Sequence, residues 1–160
     1  MFCVRANVLK KMVQIRLATE EDKEAIADFQ MRMAMETEGI HLNEETVQSG
    51  VLNVFRDPKK GKYFVAVENG QIIASTLLTN EWSDWRNQWF LWIQSVYVIP
   101  EKRGKGVFRE MYQNIREMVN ADDEIAGLKL YVDSENISAI ETYKAVGMDG
   151  EHYKLFEWYK

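Results

Sequence analysis

Basic residues and glycines lie together in residues 101–108 (EKRGKGVF), between a predicted strand and a predicted helix. The first turn of a helix leaves backbone N–H groups without partners and carries partial positive charge. Gly104 and Gly106 would let a ligand approach the backbone closely, and Arg103 and Lys105 add full positive charges. The segment can therefore bind a phosphate group. The alternative is a tight turn with solvated basic side chains.

The neighbouring elements would position this loop. Residues 89–99 (WFLWIQSVYVI) form a nearly continuous apolar and aromatic run, typical of a strand buried on both faces. Pro100 ends the strand because proline cannot donate a hydrogen bond to a sheet. Apolar residues then recur at helical spacing, at Phe108, Met111, Tyr112, Ile115, Met118 and Val119. This order favours the phosphate-binding interpretation, although the loop lacks the spacing of a P-loop and the third glycine of a dinucleotide-binding fingerprint.

A second segment, residues 131–148 (YVDSENISAIETYKAVGM), overlaps the end of another predicted strand. Asn136 is suited to begin a short helix, and Gly147 is suited to end it. From the residues alone, Asn136 is interpreted as a helix cap and Tyr143 as a core aromatic at helical spacing from Ile140.

The two segments resemble the signature segments of the GNAT superfamily of N-acetyltransferases. VYVIPEKRGKGVFREMYQNI is similar to the pattern Arg/Gln-x-x-Gly-x-Gly/Ala, with Arg103 and Gly106 at its first and fourth positions and Phe108 where the pattern has Gly or Ala. The second segment matches Asn-x-x-Ala-x-x-x-Tyr-x-x-x-Gly-Met/Phe at Asn136, Ala139, Tyr143, Gly147 and Met148. The resemblance extends from about Val13 to the C-terminus.

The resemblance implies that the co-substrate is acetyl-coenzyme A (acetyl-CoA), with no metal. The loop would bind its pyrophosphate, and a bulge in residues 94–98 would open a space where the pantetheine arm pairs with the backbone like an added strand. The residues implied to contact acetyl-CoA are Val96, Tyr97, Val98, Arg103, Gly104, Lys105, Gly106, Val107, Phe108, Asn136, Ala139 and Tyr143.

Forming an amide from a thioester benefits from an acceptor for the amine proton, a donor to the oxyanion and a donor to the leaving sulfur. The resemblance assigns the second role to the backbone N–H near Val96 and the third to Tyr143. Gln94 stands where some relatives have a glutamate. Because glutamine cannot act as a base, Gln94 could position a water or hold the substrate.

The proton acceptor therefore has several candidates. Glu81 is the first, and the others are Asp84, Glu36, Glu38, an ordered water, or an amine that arrives already neutral. The resemblance also implies that the first two helices and the loop between them form one wall of the acceptor site. That wall would carry Glu36, Glu38 and His41, for each of which a solvated surface residue is the alternative.

The predicted element order is β-α-α-β-β-β-α-β-α-β. It predicts an α/β fold (an α+β mixed sheet) with helices on both faces, and the resemblance implies the GNAT-like acyl-CoA N-acyltransferase fold. Residues 12–160 would form a single N-acetyltransferase domain, and residues 1–11 an N-terminal extension or an extra strand.

Asn69-Gly70 predicts a hairpin. Residues 80–88 predict a polar loop carrying Trp82 and Trp85, which could line a site or pack over the sheet, and residues 128–132 and 152–160 predict the last two strands.

The composition of the chain argues against several classes of function. The formal net charge of −5 argues against a nucleic-acid partner, and no apolar run approaches a membrane helix of roughly 20 residues. The single cysteine, Cys3, excludes an intrachain disulfide and fits a reducing, cytoplasmic setting. The two histidines make a structural zinc site improbable. The aromatic C-terminal strand could pair between subunits, which would make a homodimer.

The predicted function is transfer of an acetyl group from acetyl-CoA to a primary amine of a small molecule or peptide, directly in a ternary complex. Cys3 is poorly placed to act as a covalent relay. The alternatives are a catalytically inactive CoA-binding sensor or scaffold, an enzyme for a longer acyl donor, and a nucleotide-phosphate binder. The acceptor amine is not determined by the sequence.

Overall fold

In the part of the chain that the structure describes, five strands form one mixed sheet whose spatial order, β1-β2-β3-β4-β5, follows the order of the sequence. The computed structural model describes residues 13–160, so the predictions for residues 1–11 and for Cys3 lie outside the described residues. The strands are β1 Gln14–Leu17, β2 Lys62–Glu68, β3 Gln71–Ser83, β4 Gln88–Val98 and β5 Ile125–Lys129. The pairs β1–β2, β2–β3 and β3–β4 are antiparallel, and β5 runs parallel to β4.

Among residues 13–160, four α-helices cover the two faces of the sheet: α1 Lys23–Glu38, α2 Glu44–Arg56, α3 Val107–Asn120 and α4 Ile137–Ala145. One apolar cluster joins the sheet to α1 and α2 and includes Ile26, Ala27, Val51, Tyr63 and Val65. The other joins the sheet to α3 and includes Leu78, Leu91, Ile93, Met111 and Ile115. The predicted mixed sheet with helices on both faces is confirmed. Within residues 13–160, no helix combines the length and apolar character needed to cross a bilayer.

The hairpin turn predicted at Asn69-Gly70 is confirmed, and a polar residue also begins α2. The side chain of Asn43 accepts a hydrogen bond from the Thr46 N–H at 2.9 Å and caps α2. Asn69 and Gly70 have φ angles of 53° and 77°, which suit the two-residue turn between β2 and β3. Local side-chain chemistry therefore determines these boundaries.

The polar loop predicted for residues 80–88 is wrong over most of its length. β3 continues to Ser83 and β4 begins at Gln88, so only a short turn separates them. Trp82 and Trp89 lie directly opposite each other, with ring centroids 4.9 Å apart, and this aromatic pair stabilises the extended hairpin. Trp85 lies in the turn and is 89% exposed.

The final strand predicted for residues 152–160 is also wrong. This segment pairs with no strand, and Tyr153, Phe156 and Trp158 are 95%, 90% and 86% exposed. An alternating pattern favours extended backbone, but a strand forms only where a sheet edge supplies hydrogen-bonding partners and cover. The strand before it likewise ends at Lys129 rather than continuing to Val132, because its pairing with β4 stops there.

An ion pair at the start of α1 gives a stability prediction. The buried Asp22 carboxylate accepts two hydrogen bonds from Arg16, at 2.7 and 2.9 Å, and one from the Thr19 N–H at 2.8 Å. The Arg16 bonds lower the Asp22 pKa, against the effect of burial. Because the folded pKa lies below the unfolded one, this contribution is complete above the unfolded pKa of about 4 and is lost as pH falls through the folded value.

We expect Asp22→Asn to lower the free energy of unfolding by about 2 kcal/mol near neutral pH, with a smaller loss near pH 3. Urea unfolding at the two pH values measures this. Asp28→Asn, which removes an exposed ion pair with Arg32, should lower the free energy of unfolding by less than about 0.5 kcal/mol. Equal losses in the two variants would contradict the role of the buried pair.

Candidate active site

The central strand β4 carries a β-bulge at which Ser95 and Val96 both lie opposite Thr76 of β3. Ser95 adopts a left-handed backbone conformation with φ of 51°, a common way to add a residue to one strand. The buried Thr76 hydroxyl donates a 2.9 Å hydrogen bond to the Gln94 carbonyl. This bond satisfies a backbone group at the point where the ladder is interrupted.

The bulge changes which side chains of β4 face each layer of helices. Before it, Ile93 packs towards α3, and beyond it Val96 and Val98 do so. Tyr97 faces α1, where its ring lies 5.0 Å from that of Phe29. A strict alternation along β4 would have placed Tyr97 in the α3 layer.

An open edge lies between β4 and β5 beyond the bulge. The two strands pair only from Trp89 to Trp92 on β4, so the later residues of β4 have no strand partner on this side. The Ile99 N–H bonds to the Ile73 carbonyl across the β3 side. Because neighbouring residues of an antiparallel strand direct their backbone groups to opposite edges, the N–H and C=O of Val98 point to the open edge. An extended ligand can pair there.

The loop after β4 ends in a helix start without a side-chain cap. Gly104 and Gly106 have φ angles of 68° and 84°, and a Cβ atom added at either would meet nothing within 4 Å. Gly106 is the N-cap of α3, and no side chain bonds to the first turn, which begins at Val107. The first-turn N–H groups are therefore available to an anion such as a pyrophosphate, and Lys105 is exposed beside them.

Arg103 makes contacts that the sequence did not indicate. Its Nε donates to the Val98 carbonyl at 2.8 Å, its Nη2 donates to Glu36 Oε2 at 2.5 Å, and its Cζ lies 5.3 Å from the Tyr97 ring centroid. The Tyr97 hydroxyl donates to the other Glu36 oxygen at 2.7 Å. Both oxygens of this carboxylate at the end of α1 are therefore hydrogen-bonded to β4 and to the loop that follows it.

Glu36 is held as an anion. Its partial burial acts to raise the pKa, but hydrogen bonds from Tyr97 and Arg103 and the positive charge of Arg103 outweigh it, so the Glu36 pKa lies below its ordinary value. Arg103 lies 67 positions away in the chain, and no local pattern connects the two residues.

Tyr143 lies on α4 beside the start of α3. Its ring packs edge-on against Phe108, with centroids 5.4 Å apart, and Phe108 also contacts Tyr112 at 6.2 Å. The bulky residue at the Gly/Ala position of the motif thus packs against both tyrosines. Burial raises the Tyr143 pKa, which keeps the hydroxyl protonated and able to donate at neutral pH. Asn136 caps α4 by accepting from the Ala139 N–H at 3.1 Å.

Glu81 and Gln94 lie on the face of the sheet opposite α3, and both side chains form hydrogen bonds with neighbouring side chains. Glu81 Oε1 accepts from Lys129 Nζ at 2.5 Å and its Oε2 accepts from the Trp92 indole N–H. The Lys129 bond lowers the Glu81 pKa, against the effect of burial. Gln94 Nε2 donates to Thr79 Oγ1 at 2.5 Å. The other candidate bases and wall residues, Asp84, Glu38 and His41, are exposed.

The structure thus groups the predicted residues in two places. The open edge of β4, the glycine loop and the start of α3 are continuous along the chain, and Phe108 connects them to Tyr143. Glu81 and Gln94 lie on the other face, and Glu36 reaches Tyr97 and Arg103 from α1.

The bulged central strand, the open edge beside β5 and the uncapped α3 start define an acetyltransferase fold. Residues 23–148 match the acetyltransferase (GNAT) family, and the chain belongs to this family. A possible acetyltransferase from Clostridium difficile 630 is 40% identical, with 93% of this chain and 98% of that chain covered and a TM-score of 0.86.

Two more distant structures share the fold. A predicted acetyltransferase from Clostridium acetobutylicum with acetyl-CoA is 20% identical, with 91% of this chain and 96% of that chain covered and a TM-score of 0.71. The aminoglycoside N-acetyltransferase AAC(6')-Iy in complex with CoA is 12% identical, with 99% of each chain covered and a TM-score of 0.74. A comparison with curated proteins found no significant match.

Proposed function

We propose that the chain is an N-acetyltransferase that moves an acetyl group from acetyl-CoA to a primary amine by direct transfer in a ternary complex. The observation that carries this proposal is the open edge of β4 beyond the bulge, which leads directly to the uncapped start of α3. An extended arm that ends in a pyrophosphate fits this combination of strand edge and helix N-terminus.

Acetyl-CoA would be held mainly by backbone groups. Residues 96–98 would pair with the pantetheine arm, and the N–H groups of Val107 and Phe108 would face the pyrophosphate. Gly104 and Gly106 leave the space for this approach, and Lys105 supplies charge. Asn136 and Ala139 would contact the arm from the start of α4.

Three groups would assist the transfer. The Val96 N–H would donate to the oxygen that becomes negatively charged, and the Tyr143 hydroxyl would give its proton to the leaving sulfur. Gln94 would hold the acceptor or an ordered water. Because both oxygens of Glu81 already accept strong hydrogen bonds, the amine proton would pass to water, or the amine would arrive neutral.

The proposed acceptor is a small-molecule or peptide amine, with no role for nucleic acid or membrane, and the single cysteine supports a cytoplasmic setting. Free thiol release from acetyl-CoA, measured against a panel of amines, tests the activity, and calorimetry with CoA tests binding. Turnover with one amine class would establish the reaction. Binding without turnover on any amine would instead indicate a CoA-binding sensor.

Glu81→Gln tests the assignment of the base. Glutamine keeps one of the two acceptor oxygens, and the proposed mechanism gives Glu81 no proton to accept, so we expect kcat/KM to stay within about threefold of the parent and the pH–rate profile to keep its shape. The pH dependence of kcat/KM is the measurement, with Asp84→Asn as the parallel variant. Loss of the acidic limb, where a base becomes protonated, in Glu81→Gln alone would assign the base to Glu81.

A further inference from the structure

The guanidinium of Arg103 occupies part of the edge that acetyl-CoA would use. The Val98 carbonyl points to the open edge of β4, and the Arg103 Nε donates to it at 2.8 Å. A pantetheine arm that pairs with residues 96–98 needs the same carbonyl. Arg103 must therefore leave Val98 when the arm binds.

Glu36 holds Arg103 in this position. Its Oε2 accepts from Arg103 at 2.5 Å while its Oε1 accepts from Tyr97 at 2.7 Å. The Arg103 and Glu36 side chains are 47% and 38% exposed, so the ion pair is accessible and exchangeable rather than a buried structural pair. The contact joins α1 to the loop that precedes α3.

We propose that Glu36 is the anchor for a positively charged group of the acceptor, and that acetyl-CoA binding makes it available. The pantetheine arm hydrogen-bonds to the Val98 carbonyl, and the pyrophosphate binds the Arg103 guanidinium. Glu36 then keeps only its hydrogen bond from Tyr97. This inference rests on the proposed function. It deepens that function by naming the acceptor class, an amine that carries a second cationic group.

Charge explains why the acceptor needs a second cation. In the free chain Arg103 hydrogen-bonds to the Glu36 carboxylate, and the charge of Arg32 also acts on it. Arg32 is paired with Asp28 at 2.8 Å, so after the exchange the Oε2 atom of Glu36 has no hydrogen-bonded cation. An ammonium group bound there remains protonated, because the carboxylate is a weak base. It cannot also be the nucleophile, so a different amine of the same molecule reacts.

Calorimetry with CoA tests the exchange. Glu36→Gln removes the competitor for Arg103, so we expect CoA to bind about three- to fivefold more tightly than to the parent chain. Glu24→Gln, which removes the same charge from the exposed start of α1, should not change the affinity. In an Arg103→Gln background the gain from Glu36→Gln should vanish, since the two substitutions act on one contact. Damage to the fold would weaken CoA binding instead.

Steady-state kinetics test the acceptor class. With a diamine we expect Glu36→Gln to raise KM about tenfold and change kcat little, and with a monoamine of equal chain length we expect no change. Equal effects on the two amines, or CoA affinity unchanged in Glu36→Gln, would overturn the inference while leaving the acetyltransferase intact. A parent chain that neither binds CoA nor turns over any amine would refute the proposed function itself.

Discussion

Replacing Tyr143 with Phe is expected to lower kcat about hundredfold, with CoA bound nearly as tightly as by the parent chain. A positioned proton donor typically contributes about 10²- to 10⁴-fold to a rate, and the proposed role of this hydroxyl is donation to the leaving sulfur. Burial raises its pKa, so the proton is present throughout the neutral range. The ring contact with Phe108 at 5.4 Å does not involve the hydroxyl and is kept in the variant.

Tyr112→Phe is the matched control for this substitution. Tyr112 is buried, whereas Tyr143 is half-buried, and the Tyr112 ring also contacts Phe108, at 6.2 Å. Removing its hydroxyl should leave kcat within about twofold, because nothing places this group near the sulfur. Thiol release gives kcat for both variants, and calorimetry gives the CoA affinity. Equal kcat values for the two variants would remove Tyr143 as the proton donor.

Replacing Gly61 with Ala is expected to lower the free energy of unfolding by about 4 kcal/mol. Gly61 precedes β2 with φ of 133°, and an added Cβ would lie 2.4 Å from the Leu78 carbonyl oxygen. Two effects add here. The backbone conformation costs about 1–3 kcal/mol for a non-glycine residue, and forcing β2 and β3 apart costs about another 1–3 kcal/mol.

Gly70→Ala separates these two effects. Gly70 also has a positive φ, 77°, but an added Cβ would meet nothing within 4 Å. Gly70→Ala should lower the free energy of unfolding by only about 1–2 kcal/mol, from the backbone conformation alone. Urea unfolding of both variants measures the difference. Losses of equal size would mean that the contact with Leu78 relaxes without cost.

Features encoded in neighbouring residues could be predicted from the sequence. The turn at Asn69-Gly70, the cap at Asn43 and the cap at Asn136 depend on a side chain and a backbone group within three residues of each other, or on φ preferences. The loop before α3 was identified because its strand, glycines and helix are consecutive. The fold followed from the same order of elements.

Features that join distant parts of the chain could not be predicted. The bulge has Ser95 rather than glycine at its positive φ, and the buried Thr76 stabilises it from another strand. Glu36 meets Arg103 and Tyr97 only because α1 packs on the sheet. Lys129 meets Glu81 only because β5 lies beside β4. No spacing or composition marks such pairs in advance.

The two errors in secondary structure have a related cause. Polar residues around Glu81 predicted a loop, but cross-strand packing of Trp82 on Trp89 extends the hairpin through them. The alternating segment after Gly150 predicted a strand, but it pairs with no strand. In both cases the presence or absence of a partner strand determined the structure, and the local sequence pattern did not.

Each strand of the sheet lies beside the strand that precedes it in the sequence. During synthesis, therefore, each strand from β2 to β5 leaves the ribosome after the preceding strand with which it pairs. β5 is made last, and it reaches β4 through a crossover that contains α3. We therefore expect the edge proposed to receive acetyl-CoA to be the last part of the sheet to form. A nascent chain that stops before β5 would leave all of β4 as an exposed, apolar edge, which is where such a chain would aggregate.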